Sequence, residues 1–193
     1  MATEIAVKAA LDLLLLPTRV KAARFEPLPC GIEGLLRIVS GDREFIDGIA
    51  DATGRAPEVL HEAAAFFIEQ VMLNPESDLY RNLGSSPDAS GHELRNRMAL
   101  LMQWLHPDKG ASSARNALAG RVMEAWHTLS NAERRAAYDA RLEAARLTIA
   151  PVHSTGNRER ALERPFAIPN PSKRRRLLSL FRAFMLGDRR SSP

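Results

Sequence analysis

Residues 94–110 have the sequence LRNRMALLMQWLHPDKG, and this stretch decides the fold of the second half of the chain. Its apolar residues recur at the spacing of one helical face, at positions 94, 98, 101 and 105. Pro107 cannot continue a helix and disfavours helical geometry at His106, so the helix is predicted to end there. Ser90 and Glu93 have the Ser-x-x-Glu pattern of a capping box and place its start. The stretch therefore predicts one capped helix and a loop that opens with His106-Pro107-Asp108-Lys109.

A second apolar stripe follows this loop, at Leu118, Val122, Ala125 or Trp126, and Leu129. Two striped helices joined by a short polar loop are expected to pack as an antiparallel hairpin. The segment 130–133 is another capping box and opens a last helix, predicted to end before Pro151.

The first 73 residues predict a small helical domain without a catalytic site. Residues 2–24 are expected to form one helix, and Gly54 and Pro57 are expected to end one helix and to begin the next. The helix after Pro57 is predicted to place one face on the core, with Val59, Leu60, Ala63, Phe67 and Val71 on or near that face. Asn74-Pro75 is predicted to mark a domain boundary. The chain as a whole is predicted to be all-α.

Composition excludes several classes of protein. The chain has 193 residues, 45% hydrophobic and 26% charged, which is typical of a globular protein. Its single cysteine, Cys30, permits neither an intramolecular disulfide nor a zinc cluster of cysteines. The five histidines lack the spacing of metal ligands, so that no cofactor is expected. Glu4 and Asp12 interrupt the first apolar segment, and no secretory signal is expected.

Positive charge is concentrated at the C-terminal end of the sequence. Residues 148–172, rich in proline, predict a flexible linker, and residues 173–193 predict a basic amphipathic tail. From residue 171 onward seven basic residues face one acidic residue, so this segment carries +6 and the rest carries −2 of the total +4. The tail is a candidate contact for anionic lipid or another polyanion, through Lys173, Arg174, Arg175, Arg176 and Arg182. The alternative is a solvated tail, and specific nucleic-acid binding is not expected because few aromatic side chains accompany the charge.

Three motifs in order resemble the J-domain of DnaJ-type co-chaperones. They are DLYRNLG at 78–84, the capped helix ending in HPDK at 106–109, and EAWHTLSNAERRAAYD at 124–139. The J-domain-like region is placed at residues 76–147, with short first and fourth helices flanking the hairpin, and the chain resembles the minimal class of J-proteins. The resemblance implies that a DnaK-like Hsp70 is the partner and that the chain stimulates its ATP hydrolysis without being an enzyme itself. The residues that it implies for Hsp70 binding are His106, Pro107, Asp108, Lys109, Arg95 and Arg97.

The sequence departs from the family on the second of the four helices. The family places a tyrosine and several basic residues where this chain has Met98, Ala99, Leu100 and Trp104. Docking is then expected to be weaker or to use apolar contact through Leu100 and Trp104, unless these two side chains pack on residues 1–73. The alternative function is an interaction adaptor without Hsp70 stimulation, held at a membrane surface by the tail. The sequence predicts a cytoplasmic protein, at the inner face of a membrane in the second case, and gives no oligomeric state.

Overall fold

The computed structural model describes residues 2–106 and 112–149, with the side chains of residues 146–149 left out. All regular secondary structure in this part of the chain is helical, which confirms the predicted all-α class. The α-helices are α1 (Ala2–Leu15), α2 (Val20–Ala23), α3 (Ile32–Ser40), α4 (Arg43–Thr53), α5 (Pro57–Phe67), α6 (Leu79–Asn82), α7 (Gly91–Leu105), α8 (Ser113–Leu129) and α9 (Ala132–Ile149). A 3-10 turn, Pro17–Arg19, precedes α2, and a π-helical turn, Ile68–Met72, follows α5.

The expected single helix over residues 2–24 was wrong. The chain leaves α-helical geometry at Leu16, with ψ of 69°, and continues through the 3-10 turn into α2. Pro17 explains the break, because proline lacks the N–H that an α-helix requires and restricts the residue before it. The other expected helix ends are confirmed, since Gly54 is the left-handed C-cap of α4 and Pro57 is the first residue of α5.

Helix α3 lies at the centre of the described helices. Its apolar residues are buried on more than one side, and they are Ile32, Leu35, Leu36, Ile38 and Val39. A helix that is apolar nearly all round is buried by several neighbours, and α3 packs against α1, α5 and α7. Gly34 permits the crossing with α1, because a Cβ atom at this position would collide with the side chain of Thr3.

Helix α5 contributes a second layer to the same core. Leu60, Ala63, Phe67 and Val71 are buried, as the apolar stripe predicts. Val59 was wrongly assigned to this face and is 37% exposed, because it is one position (about 100°) away from Leu60 on the helix.

Three arginines bind the backbone at the π-helical turn. Arg24 Nε donates to the carbonyl oxygen of Gln70 at 2.8 Å, Arg81 Nε to that of Val71 at 3.1 Å, and Arg121 Nη1 to that of Leu73 at 2.7 Å. The last carbonyls of a helix have no intrahelical partner, and a buried carbonyl without a hydrogen bond is costly. Arg81 lies on α6 and Arg121 on α8, so two of the three donors come from the J-domain-like region.

The described helices on the two sides of the predicted boundary at residues 74–75 belong to one compact unit. Asn74 itself is 4% exposed, and its Nδ2 atom donates to Ser77 Oγ at 2.6 Å while its Oδ1 atom accepts from the backbone of Glu76 at 2.9 Å. The division into domains at 1–73 and 76–147 stays a prediction from sequence. The linker at 148–172 and the basic tail at 173–193 lie almost wholly outside the described residues.

Candidate partner-binding site

Helices α7 and α8 each begin at a serine N-cap, of which Ser90 was predicted from the sequence. Ser90 Oγ accepts a hydrogen bond from the backbone N–H of Glu93 at 3.1 Å, and Ser112 Oγ accepts one from Arg115 at 3.2 Å. Leu94, Leu101 and Leu105 of α7 and Val122, Ala125 and Leu129 of α8 are buried. The two helices pack against each other, as the two apolar stripes predict.

Helix α7 ends where the sequence places the start of the loop. His106 is exposed and has φ of −56° and ψ of 136°, the extended geometry that a following proline favours. The guanidinium of Arg115, in the first turn of α8, donates to the carbonyl oxygen of Trp104 and so joins the two helix ends. Pro107, Asp108 and Lys109 lie outside the described residues.

The two basic residues assigned to Hsp70 binding on α7 have different surroundings. Arg95 is exposed, and its guanidinium carbon lies 5.9 Å from the ring centre of Trp126 on α8. Arg97 points into the structure, donates to the carbonyl oxygen of Gly84 and pairs with Glu93 one turn earlier on the same helix. Arg97 is therefore engaged within the chain, and Arg95 is the basic residue of α7 that faces solvent.

Leu100 and Trp104 are not displayed as an apolar docking surface. Trp104 is 3% exposed, and Leu100 is half-buried against the same core. Helix α3 packs on α7, and the guanidinium carbon of Arg115 lies 5.4 Å from the ring centre of Trp104. Of the alternatives that the sequence leaves open for these two side chains, packing within the chain is the one observed.

Polar contacts join α9 to α6 and to the segment that follows α6. The sequence analysis did not predict these contacts. Tyr80 Oη donates to a carboxylate oxygen of Asp139 at 2.6 Å, and the backbone N–H of Leu79 donates to Tyr138 Oη at 2.9 Å. Arg135 donates to Tyr80 Oη and to the carbonyl oxygens of Pro87 and Ala89. Burial, with the Asp139 carboxylate as a second cause, raises the pKa of Tyr80 above its ordinary value.

The described residues contain no group of His, Cys, Asp and Glu side chains that could hold a metal ion. A cleft of about 510 Å³ lies between the 27–32 loop and α6. Both acidic and basic side chains line the cleft, Asp78 and Glu93 with Arg81 and Arg97. Among the described helices none is long and apolar enough to cross a membrane.

Comparison with known proteins matches one part of the chain to a family. Residues 78–139 match the family model of the DnaJ domain. The chain is similar to chaperone proteins DnaJ of Hydrogenobacter thermophilus (37% identity over 65 residues), Streptococcus thermophilus (36% over 63) and Mycoplasmopsis pulmonis (33% over 67). These matches cover 34%, 33% and 35% of this chain but only 18%, 17% and 18% of the three relatives. No solved structure matches the chain.

The matched segment runs from the N-cap of α6 into α9 and includes the whole hairpin. Residues 78–139 are accordingly a J-domain, which confirms the resemblance drawn from the motifs. Residues 1–77 and 140–193 lie outside the match to the family model.

Proposed function

We propose that this protein is a cytoplasmic co-chaperone that recruits a DnaK-like Hsp70 and stimulates its ATP hydrolysis through the loop His106-Pro107-Asp108. The observation that carries the proposal is the match of residues 78–139 to the DnaJ domain on a hairpin of the expected geometry. The chain's part in this function is binding, because the ATP is hydrolysed by the partner.

Both helices that flank the loop are fixed by named contacts, which supports the proposal. The bond from Arg115 to the Trp104 carbonyl and the N-cap at Ser112 set the two ends between which the loop must run. Pro107 fixes one backbone dihedral, so less conformational entropy is lost when the loop binds. Asp108 offers a carboxylate to an arginine of the partner, in the bidentate geometry that such pairs favour.

An ATPase assay with a purified DnaK-type Hsp70 and the full chain tests the proposal. The wild-type chain is expected to increase steady-state hydrolysis, and His106→Gln is expected to lose the increase. His92→Gln is the matched control, since His92 is an exposed histidine at the other end of α7. No stimulation by the wild-type chain, or equal stimulation by both variants and wild type, would contradict the proposal.

A second candidate function is an interaction adaptor that does not stimulate an Hsp70. The observation in its favour is that α7 turns one cation, Arg95, to solvent, while Arg97 is paired inside the chain. In this version the basic tail attaches the protein to anionic lipid at the inner face of a membrane. Co-sedimentation with anionic vesicles, for the full chain and for a 1–170 truncation, tests the attachment. Equal sedimentation of the two chains would show that the tail does not attach the protein to lipid. Release of the full chain by salt would support attachment through the charges of the tail.

A further inference from the structure

Half of the large apolar side chains that are exposed in the described part of the chain lie on α1 or directly after it. They are Ile5, Leu15 and Leu16, which are 55%, 72% and 52% exposed. The other half are distributed singly over separate elements. Single exposed apolar residues are normal on a protein surface, whereas several on one side of a helix indicate a contact surface.

The outward side of α1 carries two opposite charges between apolar ends. From residue 4 to residue 16 every exposed residue lies on this side, here called the α1 face: Glu4, Ile5, Lys8, Asp12, Leu15 and Leu16. Leu16 still belongs to the last helical turn, since its N–H donates to the carbonyl oxygen of Asp12 at 2.9 Å. Ala2 is the one exposed residue of α1 outside this set. The opposite side of the helix is buried in the core through Ala6, Ala10 and Leu13, which fixes the orientation of the α1 face.

The α1 face is complementary to a second copy of itself. Its residues form three pairs placed symmetrically about residue 10, at positions 4 and 16, 5 and 15, and 8 and 12. In a two-fold symmetric pair of antiparallel helices, residues equally far from the axis on its two sides come level with each other across the interface. With the axis at residue 10, Lys8 of each copy lies level with Asp12 of the other copy. Ile5 lies level with Leu15 in the same way, and Glu4 with Leu16 is the pair without a chemical match.

A groove of about 420 Å³ beside the α1 face offers room for side chains of the second copy. It lies between α1 and residues 52–55, and its apolar lining includes Val7, Leu11 and Leu15. Its charged residues are two acidic and two basic, Glu4, Asp12, Lys8 and Arg55. A surface without net charge neither attracts a polyanion nor repels an identical surface. Charge therefore favours a second copy of this chain over nucleic acid or anionic lipid.

We propose that the α1 face joins two copies of this chain in a two-fold symmetric dimer, with two antiparallel α1 helices at its centre. The proposal is independent of the proposed function, because no residue of the J-domain takes part in the face. The apolar ends supply the affinity, and the two pairs of Lys8 with Asp12 set the orientation and register. An interface centred on one pair of helices is small, so the dissociation constant is expected at about 10–100 μM.

Sedimentation velocity of the full chain over a range of concentrations measures the dissociation constant. Leu15→Glu is expected to raise it at least about tenfold, because this variant places a charge in the apolar contact. Met123→Glu is the matched control, since Met123 is also an exposed apolar residue but lies on α8, and it is expected to leave the constant within about twofold. Thermal unfolding of each variant establishes that it is folded.

The two charges of the α1 face test the two-fold pairing itself. Lys8→Glu and Asp12→Lys each bring like charges level with each other, and each is expected to raise the dissociation constant about fivefold at low salt. An equal mixture of the two variants is expected to dimerise like the wild type, because each variant then meets opposite charges on the other. A change confined to one chain cannot produce this recovery. Lys21→Glu, at an exposed position on α2, is the control for the altered net charge.

Four outcomes overturn the proposal. The first is a wild-type chain that stays monomeric at about 0.5 mM, well above the expected dissociation constant. The second is a dimer that Leu15→Glu leaves unchanged. The third is a dimer in which the mixture of the two charge variants does not recover, which excludes the antiparallel pairing about residue 10. The fourth is a monomer that co-sediments with neutral lipid vesicles until Leu15→Glu is introduced, which makes the face a lipid contact.

Discussion

The guanidinium of Arg81 donates to the carbonyl oxygen of Val71 at 3.1 Å and at the same time to those of Ala23 and Glu26, at 2.7 and 2.9 Å. One side chain of the first J-domain helix thus binds three backbone groups of the segment that precedes the J-domain. Burial lowers the pKa of Arg81 below its ordinary value. The side chain stays charged at neutral pH, because arginine does not lose its proton in proteins.

Replacing Arg81 with methionine removes the guanidinium, so the carbonyl oxygens of Ala23, Glu26 and Val71 lose the hydrogen bonds that it donates. Methionine keeps part of the side-chain volume, so the expected loss is mainly polar and amounts to about 2 kcal/mol in the free energy of unfolding. Urea denaturation measures it. Arg141→Met on α9 is the control, since Arg141 is exposed, and a change at that position is expected within about 0.5 kcal/mol. Equal effects at the two positions would show that the bonds of Arg81 contribute nothing to stability.

Gly84 tests the contact between the J-domain and the helices before it. It has φ of 65°, and an added Cβ atom would lie 2.7 Å from Cγ2 of Ile32 and 2.8 Å from Cε of Met72. Gly54 has nearly the same φ of 64° but no atom within 4 Å of an added Cβ. Gly54→Ala is expected to cost about 1 kcal/mol for the left-handed conformation. Gly84→Ala is expected to cost about 1–3 kcal/mol more, because the core must also accommodate the methyl group. Chemical denaturation of both variants measures the difference, and equal losses would contradict the close packing of Gly84.

Trp104 is expected to contribute to the stability of the fold rather than to partner binding. Trp104→Ala should lower the free energy of unfolding by about 3–5 kcal/mol, since it removes a buried indole from the core. Trp126→Ala, in the same hairpin but half-buried, should cost less than half of this amount. Thermal or urea unfolding of the two variants gives the comparison. A Trp104→Ala chain as stable as the wild type would mean that the indole is not packed in the core.

Asp42 predicts a pH dependence of stability. Arg37 Nε and Nη2 donate to one of its carboxylate oxygens at 2.8 and 2.6 Å, and these bonds hold the pKa of Asp42 below its ordinary value of 3.8. Because the folded pKa is lowered, the stabilisation is present at pH values above the ordinary pKa and is lost as the pH falls through the folded pKa. Asp42→Asn keeps a side-chain acceptor at the N-cap of α4 and removes the ion pair. The difference in unfolding free energy between wild type and Asp42→Asn is expected to be constant above about pH 5 and to shrink below about pH 4. A difference that does not change with pH would exclude the ion pair as its source.

Much of the fold is predictable because its signals are local. The capping residues Ser90, Asp42 and Ser112 lie three positions before the backbone N–H groups that they accept from. The stripe of α7 identifies the buried face through periodicity alone. Pro17 is an equally local signal. The prediction of one helix over residues 2–24 gave more weight to the long run of good helix formers and so missed the break at Leu16.

The contacts that join the two halves could not be found in the same way. Arg24, Arg121 and Arg135 bind partners 46–55 positions away in the chain, and nothing near them in the sequence marks those partners. For a related reason, the sequence could not decide whether Trp104 is exposed or buried. An apolar side chain on the outer face of a helix is consistent both with a docking surface and with burial under another element. The roles of His106, Pro107, Asp108 and Lys109 stay predictions, carried by the motif and by the family.

The π-helical turn at Ile68–Met72 has a consequence for how such a chain can evolve by exchange of modules. A crossover at Asn74 that replaced everything after it would remove Arg81 and Arg121, the donors to the carbonyl oxygens of Val71 and Leu73. The incoming segment would have to supply arginines at equivalent positions or leave that backbone without these bonds. We therefore expect residues 1–73 and the J-domain of this chain to have been inherited together, with both arginines retained wherever the pair occurs.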